Sequence, residues 1–285
     1  MTSADTGQPR RVLVTGAGGK TGHAVIAAIR ASGGQCRAVV HTSRDVAGAE
    51  AVVADQCSVD ELVAALDGVD AVYAIAPNLS DAEIVMAEAL IEACQRHGVE
   101  RLVFHSVIHP QLVSMPHHRD KLHAEARLLE SGLAVTILQP NVYMQNLAAF
   151  RAAMQAATLA VPYATDRPFG MVDLRDVAQV VARAVLDDIG VHATWELSGP
   201  ANVTIDDVAR LASRTLPRFV LAERVAPDTW MRSHPAATST VDERLRAMFA
   251  HYDAHGSPGD GTVLAAVLDA PPRTIDAYLR ELLAS

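Results

Sequence analysis

Residues 12–30 read VLVTGAGGKTGHAVIAAIR, and this stretch decides the fold. Its first four residues are a short apolar, β-branched run, which predicts a buried parallel strand. A glycine-rich turn follows, and the alanines, valine and isoleucines after it predict one apolar face of a helix. Glycine permits the tight turn and lets the backbone approach a pyrophosphate, while the helix N-terminus presents unpaired N–H groups. This order of elements predicts a dinucleotide site.

A phosphate-binding P-loop is the rival interpretation of the same turn, because Gly19, Lys20 and Thr21 read GKT. A P-loop requires a further glycine five residues before Gly19. That position is Val14, inside the predicted strand. The sequence therefore excludes a P-loop here.

Composition limits the class of protein. The chain has 285 residues, of which 50% are hydrophobic and 20% are charged, as in a globular protein. A formal charge of −9 disfavours nucleic-acid binding. No apolar run approaches the roughly 18 residues of a membrane span. The polar N-terminus has no signal-peptide segment, and the three cysteines form no CxxC pair. We expect a cytoplasmic monomer or homodimer that binds a small-molecule substrate, without a nucleic-acid or membrane partner.

Strand and helix patterns alternate over the first half of the chain. Further strands are predicted at 36–41, 51–54, 69–76, 102–105 and 133–138, with helices at 81–97 and from 116 onward. Ser58 and Thr204 have the residue type and position of helix N-caps. The pattern predicts an α/β fold with a Rossmann-type doubly wound parallel sheet at residues 1–150.

The remaining residues, 151–285, are predicted to form a smaller, mainly helical substrate lobe, while 171–190 pack back onto the sheet. One helix is expected at 147–159, and the stretch from about 228 to 252 is expected to be helical. The segment 256–261 reads GSPGDG, which is typical of a flexible loop and suits a lid or hinge. Apolar side chains of 228–252 can line a pocket or form the core of the lobe.

The end of the second strand indicates the cofactor. It reads His41, Thr42, Ser43, Arg44, with no acid before Asp45. An acid there would bind the ribose 2′-hydroxyl of NAD, whereas an arginine suits the 2′-phosphate of NADP. We therefore predict NADP(H) rather than NAD(H), although Arg44 can also be a solvated loop residue.

In such sheets, ligands bind beyond the carboxyl ends of the strands. The residues predicted on this basis to bind the cofactor are Thr15, Gly16, Gly18, Gly19, Lys20, Thr21, Gly22, His41, Ser43, Arg44, Asp55, Gln56, Ala76, Pro77, Asn78, Pro140 and Asn141, and the resemblance described next adds Lys121.

Several motifs, in order, carry a resemblance to a known family. The TGxxGxxG turn at 15–22 is similar to that of extended and atypical short-chain dehydrogenase/reductases. GVDAVY at 68–73 resembles a segment of the NmrA-like subgroup. Four further stretches resemble segments of the same subgroup: the pattern from His117 and Lys121 to Asn146, VDLRDVA at 172–178, LSGP at 197–200 and PRTI at 272–275.

The resemblance implies an NADPH-dependent oxidoreductase that reduces a small, fairly apolar carbonyl, enone or quinone. Its members also include proteins that bind the nucleotide and regulate a partner without turnover, and that alternative stays open. So does an epimerase or dehydratase that uses a bound cofactor. The superfamily's usual Tyr-x-x-x-Lys pair is altered, because His117 stands at the tyrosine position while Lys121 is present.

Three residues are the predicted catalytic set. Lys121 can bind the nicotinamide ribose and stabilise an oxyanion, or be a solvated lysine paired with Glu125 four residues on. Ser106 can hydrogen-bond a substrate carbonyl or merely end its strand. His117 or His118 can donate a proton near neutral pH, and the alternative for His117 is a surface or capping histidine.

A patch of five histidines surrounds this set: His105, His109, His117, His118 and His123. Several histidines close together can bind a zinc ion. No HExxH motif and no nearby cysteine accompany it, and its spacing crosses a strand end, a loop and a helix. We expect no metal.

Overall fold

The computed structural model describes residues 9–284, and its centre is a parallel sheet. The strands are β1 (Arg11–Val14), β2 (Gln35–Val40), β3 (Glu50–Val53), β4 (Ala71–Ala74), β5 (Arg101–His105), β6 (Ala134–Pro140), β7 (Thr158–Val161), β8 (Thr194–Leu197) and β9 (Leu221–Arg224). Seven of them pair in the order β3-β2-β1-β4-β5-β6-β8. Strand order reverses at β1, which lies between β2 and β4, so the carboxyl ends of these strands border the ligand crevice.

The helices connect and cover these strands. They are α1 (Lys20–Ala31), α2 (Val59–Ala65), α3 (Glu83–His97), α4 (Pro116–Glu130), a 3₁₀ helix (Met144–Phe150), α5 (Arg151–Gln155), α6 (Leu174–Leu186), α7 (Ile205–Thr215), α8 (Pro227–Ser233), α9 (Ser239–His255), α10 (Thr262–Leu268) and α11 (Ile275–Ala284). In the described part of the chain, no helix is both long and apolar enough to cross a membrane.

Two apolar cores fix the sheet between its helices. On one face, Ile29 of α1 and Val181 of α6 pack in one buried cluster. On the other face, Leu62, Leu90 and Leu128 bring α2, α3 and α4 into a second cluster. This two-sided burial explains why the strands are almost continuously apolar. The prediction of a doubly wound Rossmann-type sheet is confirmed.

A third core forms the smaller lobe. Phe169, Val208 and Leu279 belong to this cluster, which α7 and α11 help to build. The lobe also contains a two-stranded parallel sheet of β7 and β9. The chain returns to the main sheet through α6, which packs on α1, and through β8, which pairs with β6.

One helix prediction in this lobe is wrong, and the second helical stretch is interrupted. Residues 147–159 are not one helix: the 3₁₀ helix and α5 end before Ala157, whose positive φ of 74° turns the chain into β7. Residues 228–252 divide into α8 and α9, because Pro235 follows His234, which has left the helical region with φ −135° and ψ 68°. Proline disfavours helical geometry in the preceding residue and provides no N–H donor.

The two N-cap predictions are confirmed. The Ser58 side chain accepts a hydrogen bond from the backbone N–H of Glu61 at the start of α2. Thr204 forms a complete capping box with Asp207 at the start of α7. Each cap satisfies a backbone donor that the helix itself leaves free.

Candidate functional site

The glycine-rich turn joins β1 to α1 through two close approaches of backbone. Gly16 has a φ of 56°, and a Cβ on it would lie 2.8 Å from the Ile75 carbonyl oxygen. A Cβ on Gly22 would lie 2.6 Å from both the Ala17 Cα and the Gly16 oxygen. Gly19 occupies the N-cap position of α1 without a side-chain cap. The first turn of α1 therefore has no side-chain cap, which is compatible with a bound anion.

We expect Gly22→Ala to destabilise the protein by about 1–3 kcal/mol, because the new methyl group overlaps backbone that cannot move independently. Gly19→Ala is the matched variant, since its Cβ would meet only the Gly16 oxygen, at 3.4 Å. In urea unfolding, the stability of Gly19→Ala should be close to that of wild type. In nucleotide titration, the same Gly19→Ala variant should bind the nucleotide more weakly than wild type does. Equal stability of the two variants would contradict this account of Gly22.

Arg44 lies over the glycine-rich turn, next to which it was predicted to bind a phosphate. Its Nη2 donates to the Gly18 carbonyl oxygen at 3.2 Å, and a Cβ on Gly18 would approach Nη1 to 2.8 Å. The side chain is exposed, as are His41 and Ser43 beside it. A guanidinium thus stands at the end of β2 beside the turn, where a 2′-phosphate would bind.

The end of β4 is fixed to the end of β1 by one side chain. Thr15 is buried, and its Oγ1 donates to the Ile75 oxygen at 2.9 Å and accepts from the Ile75 N–H at 2.8 Å. A small cavity here is lined by Thr15, Gln56, Ala76 and Glu83, among others. The structure thus brings predicted residues from three strand ends together.

The other predicted nucleotide residues lie on both sides of this crevice. Pro77 and Asn78 are exposed beyond β4. Lys20 donates to the Asn146 side chain at 2.7 Å. Asn141, by contrast, is buried and bonds Ser198 and Ser257, so its amide joins β6 to the smaller lobe.

Other predicted residues continue the edge of the sheet. Asp55 is exposed and accepts from the Cys57 N–H, and Pro140 ends β6 opposite Leu197 of β8. Thr21 is buried in the first turn of α1.

Lys121 is held in one position by two acceptors. Its Nζ donates to Glu83 Oε1 at 2.7 Å and to the His105 carbonyl oxygen at 2.6 Å. The ammonium also lies 4.8 Å from the centre of the Phe104 ring. The side chains of Lys121 and Glu83 are only 14% and 6% exposed. The alternative of a solvated lysine paired with Glu125 is wrong.

Ser106 belongs to a buried polar cluster with Glu125 and Gln139. Its hydroxyl donates to Glu125 Oε1, and Gln139 Nε2 donates to both oxygens of the same carboxylate, at 2.9 and 3.0 Å. Burial raises the pKa of Glu125, against the lowering effect of these hydrogen bonds. The Ser106 hydroxyl is therefore engaged by protein rather than directed into the crevice.

His117 lies where α4 meets α9 of the smaller lobe. Its Nδ1 is buried without a hydrogen-bond partner among residues 9–284, and its ring packs edge-on against His118. The pKa of His117 is lowered to about 3, chiefly by burial and to a smaller extent by the nearby His118, Arg244 and Lys121. Arg244 binds Asp120 at 2.6 Å, which ties the two helices together. At neutral pH His117 is a neutral ring that can donate a hydrogen bond.

At this edge of the sheet, the structure contains a chain of hydrogen-bonded side chains that the sequence did not predict. The Tyr73 hydroxyl lies 2.6 Å from His105 Nδ1, and His105 Nε2 lies 2.6 Å from the Tyr143 hydroxyl. Lys20 stands over the Tyr143 ring, 5.7 Å from its centre. The available signal was that His105 ends a predicted strand and Tyr143 follows another. No sequence pattern indicated a role for Glu83, because its role is to bind Lys121, which is distant in sequence.

The histidine patch does not gather at one point. His105 joins the tyrosines, His117 and His118 pair on α4, and His123 is exposed. Among the residues that the structure describes, no group of three His, Cys, Asp or Glu is placed to hold a metal ion.

The model of the NmrA-like family matches residues 8–279. The chain belongs to the NmrA-like family. The resemblance inferred from the motifs is thereby confirmed. A relative of similar length, the NAD(P)H azoreductase of Xenophilus azovorans, is 25% identical over 273 residues, which are 92% of each chain.

Solved NmrA-like structures share this fold. The NADPH-dependent quinone oxidoreductase of Escherichia coli, in complex with NADPH, superposes with a TM-score of 0.83 at 20% identity, covering 95% of this chain and 99% of that one. NmrA, a negative transcriptional regulator, in complex with NADP, superposes with a TM-score of 0.79 at 17% identity, covering 97% and 96%. At these identities the likeness establishes the fold.

Proposed function

We propose that this NmrA-like protein is an NADPH-dependent reductase of the atypical short-chain dehydrogenase/reductase type. Its substrate would be a small, fairly apolar carbonyl, enone or quinone. The observation that carries the proposal is the pair of cations at the carboxyl edge of the sheet: Arg44 over Gly18 and the immobilised Lys121. The azoreductase and the quinone oxidoreductase among its relatives support the same class of reaction and cofactor.

The residues present fit NADP(H). The uncapped N-terminus of α1 suits a pyrophosphate, and Arg44 suits the 2′-phosphate. Lys121 would bind the ribose next to the nicotinamide. When bound, NADPH supplies a hydride. The protein positions the acceptor, excludes water and stabilises the developing charge.

Lys121 supplies positive charge near the reacting atoms, and its two acceptors prevent it from turning away. His117 can donate a hydrogen bond from α4. Ser106 can polarise a carbonyl group only if its hydroxyl leaves Glu125. The three free cysteines fit a cytoplasmic site for this reaction, where thiols stay reduced.

The test is NADPH consumption by the purified protein against a panel of quinones, enones and ketones, with nucleotide binding measured in the same sample. Turnover of any acceptor supports the reductase. Binding without turnover supports the second candidate, a nucleotide-sensing regulator that binds a protein partner. Two observations favour that candidate: His117 stands at the usual tyrosine position, and the regulator NmrA shares the fold.

Arg44→Ala should weaken NADPH binding about 10- to 100-fold and leave NADH binding nearly unchanged. One charge-assisted hydrogen bond contributes about 1.5–3 kcal/mol, and about 1.4 kcal/mol corresponds to a factor of ten. Fluorescence titration with both nucleotides measures the difference. Arg119→Ala, which removes an exposed arginine of α4, is the control. An equal loss for the two nucleotides would contradict a contact with the 2′-phosphate.

A further inference from the structure

Tyr73, His105 and Tyr143 form a chain of hydrogen bonds that runs from the core to the crevice. In the register of β4 and β5, Tyr73 lies opposite Val103, and His105 is two residues further along β5. Side chains two apart on a strand share a face, so the rings of Tyr73 and His105 meet, edge to face with their centres 5.8 Å apart. Tyr143, three residues after the end of β6, closes the chain.

The direction of these hydrogen bonds follows from burial. Tyr73 has no exposed surface, and His105 Nδ1 is the one partner of its hydroxyl among residues 9–284. A buried O–H group that does not donate costs about 1–3 kcal/mol, so Tyr73 donates and Nδ1 accepts. Burial, with a smaller effect of Lys121, lowers the pKa of His105 to about 3, so the imidazole is neutral.

A neutral imidazole carries one proton, and with Nδ1 as acceptor that proton is on Nε2. The Nε2–H group of His105 therefore donates to the Tyr143 oxygen. The O–H of Tyr143 must then point away from His105. Cooperative polarisation along such a chain strengthens its last donor.

Tyr143 lies beside the first turn of α1, which belongs to the predicted cofactor site. Tyr143 is partly exposed, in contrast to the other two members of the chain. The Thr21 hydroxyl, in the first turn of α1, interacts with it, and Lys20 of the same turn lies over its ring. On the other side, Lys121 binds the carbonyl oxygen of His105. Tyr143 thus contacts the first turn of α1, and the histidine that it bonds is also the one that Lys121 contacts.

We propose that Tyr143 is a catalytic residue, whose O–H binds the oxygen that becomes negative on a carbonyl or enone acceptor. This role rests on the proposed reductase function. With the hydride that bound NADPH would supply, the acceptor gains a C–H bond and the nucleotide becomes NADP+. The π electron pair of the C=O group moves to oxygen, which in an enone is reached through the conjugated C=C bond, and Tyr143 donates a hydrogen bond to that oxygen. A proton from water then completes the product and leaves hydroxide in the solvent. A tyrosine from the loop after β6 thus replaces the tyrosine that α4 lacks.

Hydrogen bonding, rather than proton transfer, is the chemistry that this environment favours. Burial raises the pKa of Tyr143, so its phenol stays protonated at neutral pH. A neutral donor fixed in position stabilises an oxyanion without giving up its proton.

Tyr143→Phe should lower kcat about 100-fold, as the loss of one oxyanion donor does, with little change in the Kd of NADPH. Tyr73→Phe touches no ligand but frees His105 to adopt either tautomer, so kcat should fall by a smaller factor, about 3- to 10-fold, at unchanged KM. Tyr278→Phe removes the hydroxyl of a tyrosine on α11 that belongs to the core of the smaller lobe, and it is the control.

Two measurements do not depend on turnover. Nitrogen NMR of the free protein with isotope-labelled histidine, assigned with His105→Gln, should show His105 protonated at Nε2. Tyr73→Phe should shift this signal toward the other tautomer. Acidic phenols, bound as phenolates in the presence of NADP+, should lose at least about tenfold in affinity in Tyr143→Phe, because a phenolate resembles the oxyanion.

A proton on Nδ1 would overturn the direction of the chain. Unchanged turnover and unchanged phenolate affinity in Tyr143→Phe would overturn the role of the hydroxyl. If no acceptor is reduced, yet the tautomer and the loss of phenolate binding are as expected, the oxyanion site stands and the proposed reductase function fails.

Discussion

Lys121→Met is expected to lower the free energy of unfolding by about 3–5 kcal/mol and turnover by more than about tenfold. The loss of stability arises because the variant leaves the buried Glu83 carboxylate without its partner. The loss of turnover arises because the positive charge at the crevice is removed. Urea unfolding and steady-state kinetics measure the two effects separately.

The double variant Glu83→Gln/Lys121→Met separates these causes. It leaves no buried charge at this point, so stability should recover to within about 1–2 kcal/mol of wild type while turnover stays low. Recovered turnover would show that Lys121 only neutralises Glu83.

A second ion pair between α3 and α4 provides a matched control for Lys121→Met. Arg127 of α4 and Glu88 of α3 form an exposed ion pair at 3.2 Å. Arg127→Met should cost less than about 1 kcal/mol, because exposed pairs contribute little. A loss as large as that of Lys121→Met would show that burial is not the cause.

The second large effect is a steep loss of stability in mild acid. Burial is the first cause of the low pKa values of His105 and His117, each about 3, and of His118, about 4. An unfolded histidine binds a proton near pH 6.5, whereas these three do not until the pH is far lower. Their contribution to stability is therefore complete above about pH 6.5 and is lost as the pH falls toward 4 and 3.

Each such histidine changes the free energy of unfolding by about 1.4 kcal/mol per pH unit, so the three together approach about 4 kcal/mol per unit below about pH 6. Urea unfolding at a series of pH values between about 7.5 and 4.5 measures the slope. Constant stability between about pH 7 and 5 would contradict the burial of these rings.

His118→Gln should reduce this slope by about one histidine's share. His123→Gln is the matched control, since His123 lies on the same helix with an exposed side chain. The control should leave the slope unchanged. If both variants reduce it equally, the general charge of α4, and not burial, is responsible.

The fold could be predicted because its signals are local. An apolar strand, a glycine-rich turn and an amphipathic helix follow one another within residues 12–30, and the caps at Ser58 and Thr204 act within one helical turn. The smaller lobe was predicted less well. There the turn at Ala157 depends on a positive φ that alanine rarely adopts, and only packing imposes it.

The residues proposed to bind the nucleotide could be named from the sequence for a similar reason. The glycines among them are neighbours along the chain, and Arg44 follows β2, whose end must border the first turn in this type of sheet. Lys121 was also predicted, but its partner was not. Spacing indicated Glu125, four residues on, yet the packing of α4 against α3 directs Lys121 to Glu83 and buries Glu125 with Ser106.

From the sequence alone came the doubly wound parallel sheet, the glycine-rich turn between β1 and α1, and the lysine of α4 that we propose for the site. The tertiary structure alone decided which polar groups meet there. Tyr73, His105 and Tyr143 lie 32 and 38 residues apart in sequence. They touch because the register of β4, β5 and β6 aligns them. Burial then sets the direction in which these side chains donate their hydrogen bonds. No local pattern of residues encodes the strand register or the burial.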